Sequence, residues 1–351
     1  MMERPWFSAS RAEPSQRPGN AWRMVLGVAA ALLLLFLGLQ AWWVSTAAPG
    51  LAHGARVVEI PPQMGLLAMA RRLGEARVIR SPLGFTLLSV VRGSARALKA
   101  GEYEFPQGAT TLDVLSLLEG GRVLQHTVLL REGATLDDLA RLLEAERLAA
   151  ARDVLRAAHD RVFLRRLEID ADSVEGYLFP DTYQVVKGMA AEELLARMVA
   201  RMREQITPQL REQARARELG VHQLLTLASI IEKEAVERNE MPLISAVFWN
   251  RLKRDMPLQA DPTVQYALGK NVRALSREDL QVDSPFNTYR RVGLPPGPIA
   301  SPGRAALEAA VNPARVDYLY FVSVDDRRHH FSSSLADHNT AVARYRLAKS
   351  R

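Results

Sequence analysis

No cysteine occurs among the 351 residues. Disulfides, thiolate nucleophiles and cysteine-ligated zinc or iron–sulfur centres are therefore excluded. A concentrated basic stripe is also missing. The formal net charge is +7, yet Arg, which greatly outnumbers Lys, is interspersed with acidic residues along the chain. A nucleic-acid binder gathers its cations on one face, so nucleic acid is not an expected partner. His329, His330 and His338 lack the i,i+4 spacing of a helical zinc pair. The expectation is no metal and no other cofactor. Hydrophobic residues make up 48% and charged residues 24%, an ordinary globular balance that leaves room for about two domains.

Strongly polar residues are nearly absent from Met24 to Val44, where Gln40 is the single exception. As a helix rising 1.5 Å per residue the run is about 31 Å long, which matches a bilayer's hydrocarbon core. Trp22 precedes it, and Trp42 and Trp43 close it, where aromatic belts sit. A cleaved signal peptide is the competing reading, because Ser45, Thr46 and Ala47 are small. Signal-peptide apolar regions run about 7–15 residues, however, and this one is longer. The expectation is a retained single-pass anchor at 24–44. Arg4, Arg11, Arg17 and Arg23 lie before the span, whereas His53 and Arg56 are the first basic residues after it. The positive-inside bias then puts residues 1–23 in the cytoplasm and the bulk of the chain outside the inner membrane.

Beyond an expected linker at 45–54, a pattern recurs. Phe105-Pro106-Gln107-Gly108-Ala109-Thr110-Thr111 leads into Leu112, Val114, Leu115 and Leu118. Leu130-Arg131-Glu132-Gly133-Ala134-Thr135 leads into Leu136, Leu139 and Leu142. Each reads as a strand end, a Gly turn, a Thr N-cap and a helix with Leu on one face. Asp in the first helical turn suits the positive end of the helix dipole. Ile60 to Gly65, followed by Ala68, Met69 and Leu73, is a looser copy. The unit resembles LysM-like modules, which grip chains of N-acetylated sugars; β–turn–α units also serve as plain scaffolding. The expected boundaries are a LysM-like module at 55–123 and a second domain at 124–351.

Val221 to Arg238, VHQLLTLASIIEKEAVER, reads as one helix with Leu224, Leu227, Ala228, Ile231 and Ala235 on a buried stripe. At about 100° per residue, Glu232 and Glu234 flank that stripe on opposite sides, and Lys233 points away. Partial burial would raise either carboxyl's pKa, as a glycosidic general acid requires. A solvated E-K-E face, with Lys233 supporting Glu237, fits the same letters. Helix geometry alone does not choose between Glu232 and Glu234.

Further text follows in fixed order: EGYLFPDTY at 175–183, ASIIEKEA at 228–235, Leu258-Gln259-Ala260-Asp261-Pro262-Thr263, Ser284-Pro285-Phe286-Asn287-Thr288-Tyr289, Gly293-Leu294-Pro295-Pro296-Gly297-Pro298, Asn312-Pro313, Tyr318 to Val322, and the His330 and His338 neighbourhoods. Behind one N-terminal anchor, this set resembles the endolytic murein transglycosylase (MltG, YceG-like) family over about residues 55–345. The resemblance implies an α+β fold: a single transmembrane helix, LysM-like α/β modules, and a mixed α+β catalytic domain with its catalytic Glu on a helix. The second Glu of E-K-E, Glu234, corresponds to the family's catalytic residue, and Glu232 becomes a supporting one. Implied partners are peptidoglycan strands, the membrane and peptidoglycan synthases.

Residue chemistry is compatible with that. Gln259, Asp261 and Thr263 form a polar turn fixed by Pro262, offering an amide, a carboxylate and a hydroxyl to sugar groups. Asn287, Thr288 and Tyr289 add an amide, a hydroxyl and an aromatic face for a pyranose. Each has an alternative use in capping turns. The Pro- and Gly-rich run at 293–298 is excluded from helix and central strand and reads as a rigid loop, and Tyr318 to Val322 reads as buried strand. The reaction implied by the resemblance cleaves the N-acetylmuramic acid–N-acetylglucosamine bond and leaves a 1,6-anhydro end. Two rivals stand beside it: a hydrolytic muramidase using Asp261 to position water, and a non-catalytic wall-binding scaffold.

Overall fold

The computed structural model describes residues 21–269, 275–325 and 328–349. Arg4, Arg11 and Arg17 lie outside them. The chain divides into two compact units, residues 1–124 and 125–351; the boundary expected from sequence fell between 123 and 124. Both mix helices with small antiparallel sheets.

The first unit carries α1 (Ala21–Ser45), β1 (Arg56–Ile60), α2 (Leu66–Glu75), α3 (Pro82–Val91), β2 (Gly101–Phe105) and α4 (Thr111–Gly120). Helix α1 is long and apolar enough to cross a membrane. Residues 22–39 are exposed along it, and Gln40 is the first buried side chain. Strands β1 and β2 pair antiparallel with Val58 opposite Tyr103. Alternation then sends Val58, Ile60, Tyr103 and Phe105 to one face, where they bury against Leu73, Phe85, Leu115 and Leu118. Residues 45–54, expected as a linker, are instead built into this unit. Ala47 bridges to Thr110, and Ala48 and Leu51 are buried in its core. Small and apolar side chains at 47–51 serve packing here, not slack.

The second unit carries β3 (Gln125–Leu129), α5 (Leu136–Ala145), α6 (Ala151–Ala158), α7 (Arg161–Arg166), β4 (Thr182–Val186), α8 (Ala191–Gln205), α9 (Pro208–Arg215), α10 (Val221–Glu234), α11 (Met241–Leu252), α12 (Asp261–Ala267), α13 (Arg304–Val311), β5 (Tyr320–Ser323), β6 (His329–Ser332) and α14 (Leu335–Lys349). Strand β3 pairs with β4 and β5 with β6, both antiparallel. Every residue from Leu224 to Ile231 of α10 is buried, and α9, α11, α12 and α13 pack around it. The sequence suggests one buried stripe; the burial runs all round this stretch, as for a helix in the middle of a core. It also stops at Glu234, four residues short of the expected end, where Ala235 turns extended. Lys233 and Glu237 therefore do not share a helix. Neither Gly nor Pro marks that stop. Tyr320 to Ser323 is half-buried, not fully buried as expected.

Both Thr caps form as capping boxes. Asp113 N–H donates to Thr110 Oγ1 at 3.3 Å while Thr110 N–H donates to Asp113 Oδ2 at 2.8 Å. The reciprocal pair at Thr135 and Asp138 measures 3.1 and 3.0 Å. Each satisfies two backbone donors that a helix start leaves unpaired.

Candidate active site

Glu234 is the last residue of α10, half-buried where α10, α11 and α12 meet. Its carboxyl accepts no hydrogen bond from the described residues. Burial pushes its pKa from 4.5 up to about 8, the nearby Asp261 carboxylate adds to the rise, and Arg251 opposes it. An acid with that pKa holds its proton at neutral pH and has no internal acceptor for it, which suits it to protonate a leaving oxygen.

Asp261 opens α12, with Pro262 in its first turn, so the expected polar turn is a helix start. Proline is preorganised for that place because its missing N–H would be unpaired anyway. Tyr289 donates its hydroxyl to Asp261 Oδ1 at 2.5 Å. Burial, then Asp261, raises the Tyr289 pKa, which keeps the phenol protonated.

The six other residues singled out by sequence separate into two sets. Gln259 and Asp261 are exposed and Tyr289 is half-buried. Thr263, Asn287 and Thr288 are buried and spend their side chains on the protein itself. Ala260 N–H donates to Thr288 Oγ1 at 3.0 Å, the Thr263 hydroxyl donates to Ala260 O at 2.7 Å, and the two Thr oxygens lie 2.8 Å apart. Asn287 Nδ2 donates to Leu280 O and Val282 O, and its Oδ1 accepts from Tyr289 N–H. These bonds fasten the segment holding Tyr289 to the segment holding Asp261. Gln259 adopts a left-handed φ of +52°, a strained state for a residue with a side chain.

Arg251 escaped notice in the sequence. It is buried in the last turn of α11 and donates to Leu319 O, Pro257 O, Leu258 O and Gln259 Oε1 at 2.7–3.1 Å. Its guanidinium also lies over the Tyr320 ring at 5.3 Å. Four neutral acceptors compensate a buried cation only in part, and its charge opposes the rise at Glu234. The available signal was spacing: Ile244, Phe248 and Arg251 recur at helical intervals, which puts the Arg on the buried face.

Glu232 points elsewhere. Its Oε2 accepts from Gly303 N–H at 2.9 Å, and burial raises its pKa. Glu175, also unnoticed, is buried and accepts from Leu136 N–H at the start of α5. Burial pushes it up to about 7. It lines a cavity of about 380 Å³ beside α12, together with Lys233, Asp137, Gln265 and Tyr266. Glu234 is not on that cavity's wall, although its chain neighbour Lys233 is. Among the described residues, no group of three His, Asp or Glu side chains gathers in a metal-binding arrangement.

The model of the YceG-like family matches residues 58–344. The chain belongs to this family. Among YceG-like relatives, the endolytic murein transglycosylase of Bacillus subtilis (strain 168) is 33% identical over 83% of this chain and 85% of its own length. The Streptococcus pneumoniae serotype 2 protein of the same description is 30% identical over 82% of this chain, which spans 58% of that relative. A crystal structure of a yceG-like protein from Listeria monocytogenes superposes with a TM-score of 0.58 at 34% identity, covering 82% of this chain and 98% of that one.

Proposed function

We propose that this YceG-like protein is an endolytic murein lytic transglycosylase, anchored by α1 with its N-terminus in the cytoplasm and the chain beyond α1 outside. The observation that carries the reading is Glu234: a carboxyl whose pKa is raised to about 8 by burial and by the Asp261 carboxylate, and which accepts no hydrogen bond from the described residues. Two named relatives with the same activity support it.

Glu234 gives its proton to the glycosidic oxygen as that oxygen leaves C1 of N-acetylmuramic acid. Positive charge develops at C1, and the Asp261 carboxylate nearby favours it. Glu234, now a carboxylate, takes the proton from the same sugar's C6 hydroxyl, and O6 closes onto C1. One bond to C1 breaks, one forms, Glu234 ends protonated and no water is consumed. A single acid suffices because the nucleophile belongs to the bound substrate. Gln259, Asp261 and Tyr289 are the side chains offered to sugar, whereas Thr263, Asn287 and Thr288 hold them in register. The strand–Gly–helix units of the first unit are LysM-like and bind the glycan, and peptidoglycan synthases supply it.

Asp261 also favours a second reading, hydrolysis, in which it orients water toward C1. Product mass separates the two. Purified strands digested by wild-type protein give new ends lighter by one water under the transglycosylase reading and none lighter under hydrolysis. No cleavage by wild type, or equal cleavage by Glu234→Gln, rejects Glu234 as the acid.

A further inference from the structure

Gln40 marks where the apolar helix stops being free. Counting from Trp22 at 1.5 Å per residue, Gln40 lies about 27 Å along α1, near the limit of a 30 Å hydrocarbon core. The partner of Gln40 at that level is the start of α3. Ser81, the α3 N-cap, donates its hydroxyl to Gln40 Oε1 at 2.8 Å, and both residues are buried. A Cβ added at Gly84 would lie 2.8 Å from the same oxygen, so glycine lets the first turn of α3 sit directly on α1. Arg80 donates to Ala47 O at 2.9 Å, and its guanidinium lies 5.9 Å from the ring of Trp42, an aromatic-belt residue.

Helix α3 therefore begins at the height where α1 leaves the bilayer. Its sequence, PLGFTLLSVV, contains no charge. Gly84, Phe85 and Ser89 are buried in the first unit. The other face carries Leu83, Leu87, Val90 and Val91, spaced i, i+4, i+7 and i+8, and each is 41–84% exposed. Four large apolar side chains on one stripe are more than the scattered exposure common on soluble surfaces. Exposed arginines flank the helix at Arg80 and Arg92, where long cationic chains reach the headgroup level from an apolar bed.

We propose that α3 is an interfacial membrane helix: its Leu83, Leu87, Val90 and Val91 face enters the outer leaflet, so the first unit lies on the bilayer as well as being tied to it. Bilayer lipid is the occupant because the stripe continues an apolar surface that starts on α1 and shares its depth through the Gln40–Ser81 bond. The proposal rests on α1 being a membrane span.

The absence of cysteine makes a clean test possible. Leu87→Cys and Val91→Cys in the full chain, both at exposed positions, carry an environment-sensitive fluorophore in vesicles with brominated acyl chains. Leu33→Cys on α1 reports the span, and Asp172→Cys, whose side chain is exposed, reports water. Expected is quenching at Leu87 and Val91 about three-fold or more above that at Asp172, approaching that at Leu33. Strong quenching at Leu33 with water-like values at Leu87 and Val91 overturns the α3 proposal and leaves the anchor standing. Dye at Leu87 and Val91 shielded from water yet unquenched by lipid also overturns it, in favour of a protein partner such as a second copy. Water-like values at Leu33 reject the anchor and α3 together.

Discussion

The same local motif is used twice, once in each unit, with different consequences. In the first, β2 ends at Phe105, Gly108 makes the turn and Thr110 caps α4. In the second, β3 ends at Leu129, Gly133 makes the turn and Thr135 caps α5. Both glycines have positive φ, +78° and +72°. Their surroundings differ. Gly108 donates its N–H to Leu51 O, and an added Cβ there would meet nothing within 4 Å. Gly133 donates to Ser301 O, and its carbonyl accepts from Lys233 Nζ at 3.2 Å. The helix that follows also receives the buried Glu175 carboxyl at its first N–H, whereas α4 has its own exposed Asp113. The first copy's turn is bonded within its own unit, to Leu51. The second copy's turn is bonded to Lys233, the residue before Glu234. Local chemistry determines that a helix starts; what packs on the turn determines whether that start matters to a site.

The largest expected effect lies at the residue those contacts surround. Glu234→Gln should fold with an unchanged melting temperature or a higher one at alkaline pH, and lose strand cleavage by about 10³-fold. In the wild type, kcat/KM should fall as pH rises through about 8, because the proposed mechanism uses Glu234 first as an acid. A pH–rate profile on purified strands checks both.

Next comes the carboxyl that only the second copy possesses. Glu175 is raised from 4.5 to about 7 by burial. The stability from its protonated form is fully present below about 4.5 and is lost as pH rises through about 7. Glu175→Gln keeps an acceptor for Leu136 N–H and cannot ionise. Its urea-unfolding stability should decline less between pH 4.5 and 8 than the wild type's, by about 2–3 kcal/mol. An unchanged decline would show that Glu175 ionises in the folded protein as easily as in the unfolded one.

Replacing the two turn glycines tests the comparison directly. Gly108→Ala and Gly133→Ala should each lower stability by about 1 kcal/mol through the left-handed backbone. Cleavage should drop a few-fold only in Gly133→Ala, whose Cβ would rest 3.5 Å from Lys233 and 3.7 Å from Glu232. Equal activity in both variants breaks the distinction between the copies.

Smallest is the shift expected from Arg251→Gln. Removing a cation that holds the Glu234 pKa down should move the alkaline limb upward by about half a pH unit. A limb that stays in place means burial and Asp261 alone set the acidity.

Much of this protein was determined by its sequence alone. The apolar run fixed α1, because length and the absence of charge suffice to specify a helix able to span a bilayer. Thr110 and Thr135 fixed two helix starts, because capping is a contact between residues three apart. E-K-E and its ordered companions, through the family they resemble, proposed Glu234 as the acid and Asp261 among the residues that meet sugar. Tertiary structure alone decided the rest. It ended α10 at Glu234, where Ala235 turns extended, with no Gly or Pro to mark the stop. It buried Thr263, Asn287 and Thr288 as fasteners and left Gln259 exposed and Tyr289 half-buried against Asp261, a division that composition cannot reveal because polar side chains serve either purpose. It paired β3 with β4, whose partners lie far apart in the chain, and brought Arg251 and Glu175 to their places. Burial of a charged group depends on neighbours distant in sequence, and those neighbours set the acidity on which the proposed chemistry depends.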